Sequence, residues 1–93
     1  MLKFEWDRKK AAANAKNHNG VTFEEACEVF DDDRAVVEID DSHSFGELRY
    51  NIIGASSQRL LFVVYVERAG YVIRIVSARE VEPYEREKYY EEG

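Results

Sequence analysis

Leu60-Leu61-Phe62-Val63-Val64-Tyr65-Val66, then Glu67-Arg68-Ala69-Gly70, then Tyr71-Val72-Ile73-Arg74-Ile75-Val76-Ser77: this stretch decides the fold. Its first run is apolar without a break and rich in β-branched residues, the composition of a strand at the centre of a sheet. The second run is another strand, and the polar residues ending in Gly70 between them read as the turn of an antiparallel hairpin. Upstream, Leu48, Tyr50 and Ile52 alternate with Arg49, Asn51 and Ile53, the period of a half-buried strand that runs on to Ala55. Ala35 to Asp40 adds a short strand, joined to the next by the polar connection Asp41 to Gly46.

The flanks are helical. Asp7 suits an N-cap, and Arg8 to His18 with three consecutive alanines is strong helix-forming sequence. His18-Asn19-Gly20 stops that helix, with Asn19 or Gly20 fit for the left-handed residue beyond it. Thr22 and Glu25 have the spacing of a capping box, and Phe23, Ala26, Cys27 and Phe30 form the apolar stripe of a second helix. Cys27 on that stripe reads as a packed thiol. Pro83 opens a last, highly charged helix from Tyr84 to about Glu91, for which Glu82 is a poor N-cap. The expectation is a single α+β domain over residues 1–93, with two N-terminal helices, an antiparallel sheet of about four strands and a C-terminal helix.

Length and composition fit one small globular unit: 93 residues, 45% hydrophobic and 13% aromatic. A lone cysteine excludes an internal disulfide and suggests a reducing compartment. With no apolar run long enough for a signal peptide or a membrane span, the expected location is the cytoplasm, with no membrane partner. The net charge of −6 is unevenly laid out. Residues 1–20 carry five Lys/Arg against two acids, residues 21–47 one against ten, residues 48–79 five against one, and residues 80–93 two against six. A fold that joined the two basic blocks would present a basic face on an acidic molecule; the alternative is an ordinary solvated surface.

A resemblance runs through this pattern. Phe4-Glu5-Trp6-Asp7, Lys10, Asn14, His18 to Ala26 and Val29-Phe30-Asp31 resemble the opening of the BrnT toxin family. Glu47-Leu48-Arg49 with Gly54 a strand later is similar to that family's Glu-x-Arg…Gly segment, and Arg74 to Arg79 with Glu85-Arg86 and Tyr89 to its closing signature. The pieces occur in order over essentially the whole chain. The resemblance implies a RelE-like fold, RNA cleavage without a metal, and pairing with a ribbon-helix-helix antitoxin in a hetero-oligomer. DNA would then be bound only indirectly, through the antitoxin.

RNA cleavage by 2′-hydroxyl attack needs a base, an acid for the leaving 5′-oxygen, and cations on the phosphate as charge builds. Arginine suits the last task through its planar fork. Arg49, Arg74 and Arg79 are the candidates, although Arg74 also suits a pairing with an acid such as Glu47. Five residues apart, Arg74 and Arg79 point to opposite faces of a regular strand and converge only if the chain departs from it near Ser77. His18 is the candidate acid or base, or alternatively a helix-terminal imidazolium favoured by the macrodipole. Lys10 and Asn14 share its helical stripe and are candidate RNA contacts, as is Arg86. Glu47 is a candidate base beside Arg49, or a salt-bridge partner. Glu85, Arg86 and Tyr89 lie on one face of the last helix, placed to close over the site or to dock the helix on the sheet. Asp40-Asp41-Ser42-His43 has metal-ligand types, but carboxylate-rich loops are usually just solvated, so neither a metal nor a cofactor is expected. The function expected is that of a metal-independent endoribonuclease toxin that inhibits translation and growth. The alternative is a catalytically weak module that binds an antitoxin or repressor.

Overall fold

A computed structural model describes residues 2–41 and 46–93. Five strands, β1 (Lys3–Glu5), β2 (Val36–Ile39), β3 (Arg49–Ala55), β4 (Leu60–Arg68) and β5 (Val72–Glu80), form one sheet in the order β1-β5-β4-β3-β2. The helices are α1 (Arg8–Asn17), α2 (Phe23–Cys27), which tightens into a 3₁₀ turn over Glu28–Asp31, and α3 (Pro83–Glu92). The central hairpin stands as expected, with β4 antiparallel to both neighbours. The sheet is not purely antiparallel, because β1 joins β5 in parallel, Phe4 opposite Ile73 and Glu5 opposite Arg74. Sequence reading passes over a three-residue edge strand whose partner lies some seventy residues away, since neither length nor periodicity marks it.

One face of the sheet carries the main core. Leu61, Val63 and Tyr65 of β4, Ile73, Ile75 and Ala78 of β5 and Ile52 of β3 meet Val21, Phe23, Ala26 and Val29. The buried stripe of the second helix is Phe23, Ala26 and Val29, with Cys27 and Phe30 only partly buried. The expected stripe follows a 3.6-residue period, whereas the 3₁₀ turn repeats every three residues and brings Val29 into line. Cys27 is a packed thiol: Sγ donates to the Phe23 carbonyl at 3.3 Å and burial pushes its pKa up to about 11. The opposite face is covered at one end only, where α3 lays Tyr89 against Ile53 and Leu60. The Tyr89 hydroxyl donates to Asp32 Oδ2 at 2.7 Å, which together with burial pushes it up to about 12. Tyr89 therefore docks α3.

Asn14 closes a gap in this architecture. β1 pairs with β5 only as far as Arg74, so Ala78 further along has a backbone N–H and C=O at an open edge. Asn14 sits over that edge, with its Nδ2 donating to the carbonyls of Ala78 (2.7 Å) and Val21 (3.0 Å) and its Oδ1 accepting from the Ala78 N–H at 3.1 Å. Its amide does the work of the missing strand, and the side chain is buried. The expectation that Asn14 contacts RNA is therefore corrected: its amide has both a donor pair and an acceptor committed inside the fold.

Two outcomes follow for stability. Asn14→Ala should cost about 2–4 kcal/mol in urea unfolding, because it strands buried backbone groups. Asn14→Asp, measured against wild type at each pH, should cost more at neutral pH than near pH 4, because an ionised oxygen would face two carbonyls. Stability equal to wild type in either variant would refute this account of the edge. Gly54 lies where β3 passes the 3₁₀ turn, and a Cβ there would come within 2.9 Å of Val29 Cβ and 3.2 Å of its carbonyl oxygen. Gly54→Ala should cost about 1–3 kcal/mol by the same measurement.

Candidate active site on the open face of the sheet

Side chains at paired positions of neighbouring strands share a face. Val66 is flanked by Arg49 and Arg74, Val64 by Asn51 and Ser77, and Phe62 by Ile53 and Arg79. The register of β5 slips between its Ser77–Val64 and Ile75–Tyr65 pairs, leaving Val76 as the extra residue of a β-bulge. That one residue reverses the alternation. Ile73, Ile75 and Ala78 all reach the core, while Arg74, Ser77 and Arg79 all face the other way. The parity obstacle in the sequence is thus removed, and Arg49, Arg74 and Arg79 share the sheet face that α3 leaves uncovered.

They do not all converge. A concavity of about 450 Å³ on this face is lined by Arg49, Asn51, Val64, Ser77 and Arg79, with Asp40 at its side. The Asp40 N–H donates to the Arg49 carbonyl at 2.7 Å, continuing the β2–β3 pairing to the rim. Arg74 turns outward to Glu5 of β1, Nη1 to Oε2 at 2.8 Å. Arg68 reaches both Glu5 (3.7 Å) and Glu47 (3.5 Å), so Glu47, Arg68, Glu5 and Arg74 make a charged rim at the hairpin end. The acid that pairs Arg74 is Glu5, and the cation that pairs Glu47 is Arg68. Glu47 is exposed on that rim.

Arg79 is held from below. Its Nη1 and Nη2 donate to the two oxygens of Glu85, both at 2.8 Å, and its guanidinium carbon stands 4.3 Å from the centre of the Phe62 ring. Glu85 is 1% exposed and also accepts the Glu82 N–H at 2.8 Å. Burial alone would raise this carboxyl, but the Arg79 hydrogen bonds, the Glu82 N–H and the charge of Arg79 outweigh it and hold the group below its ordinary value. Glu82, a poor N-cap by residue type, nevertheless opens α3 in a capping box, where Glu85 at the third helical position accepts the Glu82 N–H. The fork also leaves Nε–H and one Nη2–H of Arg79 available to a ligand.

His18 caps the C-terminus of α1, its N–H bonded to the Asn14 carbonyl at 2.9 Å. It lines a second, smaller concavity of about 190 Å³ with Asn17, Asn19, Glu80, Glu82 and Arg79. Arg79 thus belongs to both hollows and links His18 to the Arg49 side. Lys10 stands exposed on α1. Of the second basic block, Arg49 and Arg79 line the open-face concavity, whereas Arg59 reaches Glu25 and the Asn19 carbonyl just beyond α1. Arg86 projects from the exposed side of α3, away from the Arg49 concavity.

Sequence reading does not single out Asn51 or Ser77, and it places Glu85 only on the helix face that closes over the site or docks on the sheet. Asn51 had a usable signal, since it alternates in phase with Arg49. Ser77 had none, because its direction depends on the bulge. A further pair is Glu25, 6% exposed, gripped by Arg59 at 2.7 and 3.0 Å and by the Ser56 hydroxyl at 2.7 Å. The Glu25 N–H does bond the Thr22 hydroxyl, but its carboxylate goes to Arg59, so the capping box is half formed. Of the metal-ligand types considered from sequence, Ser42 and His43 lie outside the described residues; among the described residues no three His, Cys, Asp or Glu side chains come together.

Residues 6–85 match the model of a family described as "Ribonuclease toxin, BrnT, of type II toxin-antitoxin system". The crystal structure of the Brucella abortus ribonuclease toxin BrnT superposes with a TM-score of 0.68 at 19% identity, over 88% of this chain and 99% of that one. At that identity the likeness establishes the shared fold. No curated protein matches the sequence.

Removing the clamp under Arg79 should be visible in stability. Glu85→Gln should cost about 2–4 kcal/mol at neutral pH, less than a fully enclosed pair because Arg79 is 29% exposed. The Glu85 carboxyl is depressed in the folded state, so its stabilisation is complete above the ordinary 4.5 and disappears as the pH falls through the lower folded value. Thermal unfolding between pH 6 and pH 3 should therefore show a smaller loss in Glu85→Gln than in wild type. Parallel curves would show that Glu85 carries no linked proton.

Proposed function

The chain belongs to the BrnT family of ribonuclease toxins of type II toxin–antitoxin systems, and from that premise we propose that it is an endoribonuclease that cleaves RNA without a metal ion. The observation that carries this reading is the juxtaposition of Arg49 and Arg79 across one concavity whose remaining polar lining is Asn51, Ser77 and Asp40. Two guanidinium groups there grip the scissile phosphate and balance the charge that accumulates on it. The Asn51 amide and Ser77 hydroxyl supply neutral hydrogen bonds to phosphate or ribose. His18, reached through Arg79, exchanges the proton with the reacting oxygens. The 2′-oxygen attacks phosphorus as its proton passes to a base, the bond to the 5′-oxygen breaks, and that oxygen takes a proton from an acid. The products are a 2′,3′-cyclic phosphate and a free 5′-hydroxyl. Arg74 and Glu47 act from the rim, where their ion pairs set the shape of the hairpin end.

The family implies an antitoxin partner. In this reading it is of the ribbon-helix-helix type, it supplies any DNA binding, and the pair is a hetero-oligomer in the cytoplasm. A second reading, a weakly catalytic binding module, is favoured by one observation: Arg74 and Arg79 each have a carboxylate partner at 2.8 Å.

Purified protein incubated with labelled single-stranded RNA in EDTA should produce cyclic-phosphate ends. Arg49→Ala and His18→Ala should each lower the rate by about 10²–10⁴-fold while leaving the unfolding midpoint near that of wild type. Absence of cleavage by folded wild type would transfer support to the binding-module reading.

A further inference from the structure

Beyond the concavity of Arg49 and Arg79, the opposite flank of α3 forms a second groove against the β3–β4 turn. It measures about 580 Å³, and its walls include Arg34, Arg59, Arg86, Ser56, Tyr89 and Tyr90. On a molecule of net charge −6, three arginines line this groove and no Asp or Glu does. Arg59 is committed to Glu25 beneath it, whereas neither Arg34 nor Arg86 forms an ion pair among the described residues. The groove therefore holds two guanidinium groups outside any such ion pair, with Arg34 in the field of the Asp32 carboxylate beneath Tyr89.

Its second component is aromatic. Tyr90 is 68% exposed. The ring is not loose, because Tyr89 meets it edge-on at 5.3 Å and 81°, and Tyr89 is itself anchored through Asp32. An exposed, oriented ring beside two guanidinium forks is the pairing that single-stranded nucleic acid requires: a π-face for an unstacked base and planar donors for the phosphates on either side. A duplex would offer the phosphates and keep its bases from the ring.

The groove is also connected to the candidate active site. Arg59, on its wall, donates through Nη1 to the Asn19 carbonyl at 3.4 Å and lies 3.9 Å from Glu80. Asn19 and Glu80 line the hollow that holds His18 and Arg79. Walls of adjoining hollows thus run from Arg49 past Arg79 and His18 to Arg59 and the groove.

We infer that the groove of Arg34, Arg86 and Tyr90 is a non-catalytic subsite for single-stranded RNA, holding the part of the strand that flanks the scissile phosphate. The inference rests on the ribonuclease reading for its ligand. It assigns to Arg86, expected from sequence to contact RNA, a place remote from the chemistry.

The test uses the full chain carrying Arg49→Ala, so that substrate survives the measurement, and a fluorescein-labelled single-stranded RNA of about 12 nucleotides, long enough to span both hollows. Tyr90→Ala should weaken binding about tenfold and Tyr90→Phe should not, because stacking needs the ring and not the hydroxyl. Arg34→Ala with Arg86→Ala should flatten the plot of log affinity against log salt by about 1.4, the loss of two single-strand phosphate contacts. All three side chains are on the surface, so the fold is expected to survive; unfolding midpoints verify this. Unchanged affinity and salt slope in all variants would overturn the inference. Losses equal for duplex and single-stranded RNA would also overturn it, as would unaltered RNA binding coupled with weakened antitoxin binding. In the catalytically intact chain, the groove substitutions should raise KM on this RNA and leave the cleavage of a dinucleotide unchanged. Groove-dependent binding without cleavage by wild type would sink the ribonuclease reading and spare the groove. Cleavage with groove-independent binding would do the reverse.

Discussion

β5 keeps β4 along its whole length but loses its neighbour on the other side after Arg74, and the structure depends on how that open edge is completed. β1 accompanies it for three residues and then leaves to become α1. A strand edge without a partner presents backbone donors and acceptors that water or another chain would otherwise claim. The amide of Asn14 takes that place at Ala78, and in doing so it fixes α1 against the sheet. One turn further on, the same helix ends at His18, beside Arg79 and Glu80. A residue without a chemical role thus determines where the candidate acid or base stands.

The bulge at Val76 is the companion device. Without an extra residue, Ala78 and Arg79 would exchange faces: an arginine would enter the core, and the Asn14 contacts would be lost. With it, three inward residues and three outward ones occupy a strand whose numbering forbids that division. Bulges near functional sites often serve to redirect a side chain in this way.

Both helices that follow a turn are attached to the sheet by the same chemistry. Glu25 and Glu85 are each the third residue of a helix, each nearly or fully buried, and each takes a bidentate grip from an arginine of the β4–β5 region. Backbone N–H groups and the positive end of the helix favour a carboxylate there, and the arginine fork completes its coordination. This accounts for part of the uneven charge along the chain: acidic blocks and the arginine block meet in the interior and cancel. What is left over is local. Arg34 and Arg86 form no ion pair among the described residues in the groove behind α3, Arg34 lying in the field of Asp32. Net charge is therefore a poor guide to where this molecule meets an anion.

The sequence alone was sufficient for the central hairpin, the flanking strands and the limits of α1 and α3, because alternation, capping residues and turn residues are local signals. The same locality explains what it could not supply. β1 is too short to have a period, and its partner is chosen by parallel pairing across most of the chain. The facing of Arg79 depends on one bulged residue, and alternation carries no trace of that until the register against β4 is known. Asn14 looked like an RNA contact because its helical spacing matches Lys10 and His18, whereas its burial is decided by an edge that only the assembled sheet creates. Which acid pairs with which arginine was likewise settled by tertiary structure, since Glu5 reaches Arg74, Glu85 reaches Arg79 and Arg68 takes Glu47. Charge–charge partners follow distance in space, and a sequence records only distance along the chain.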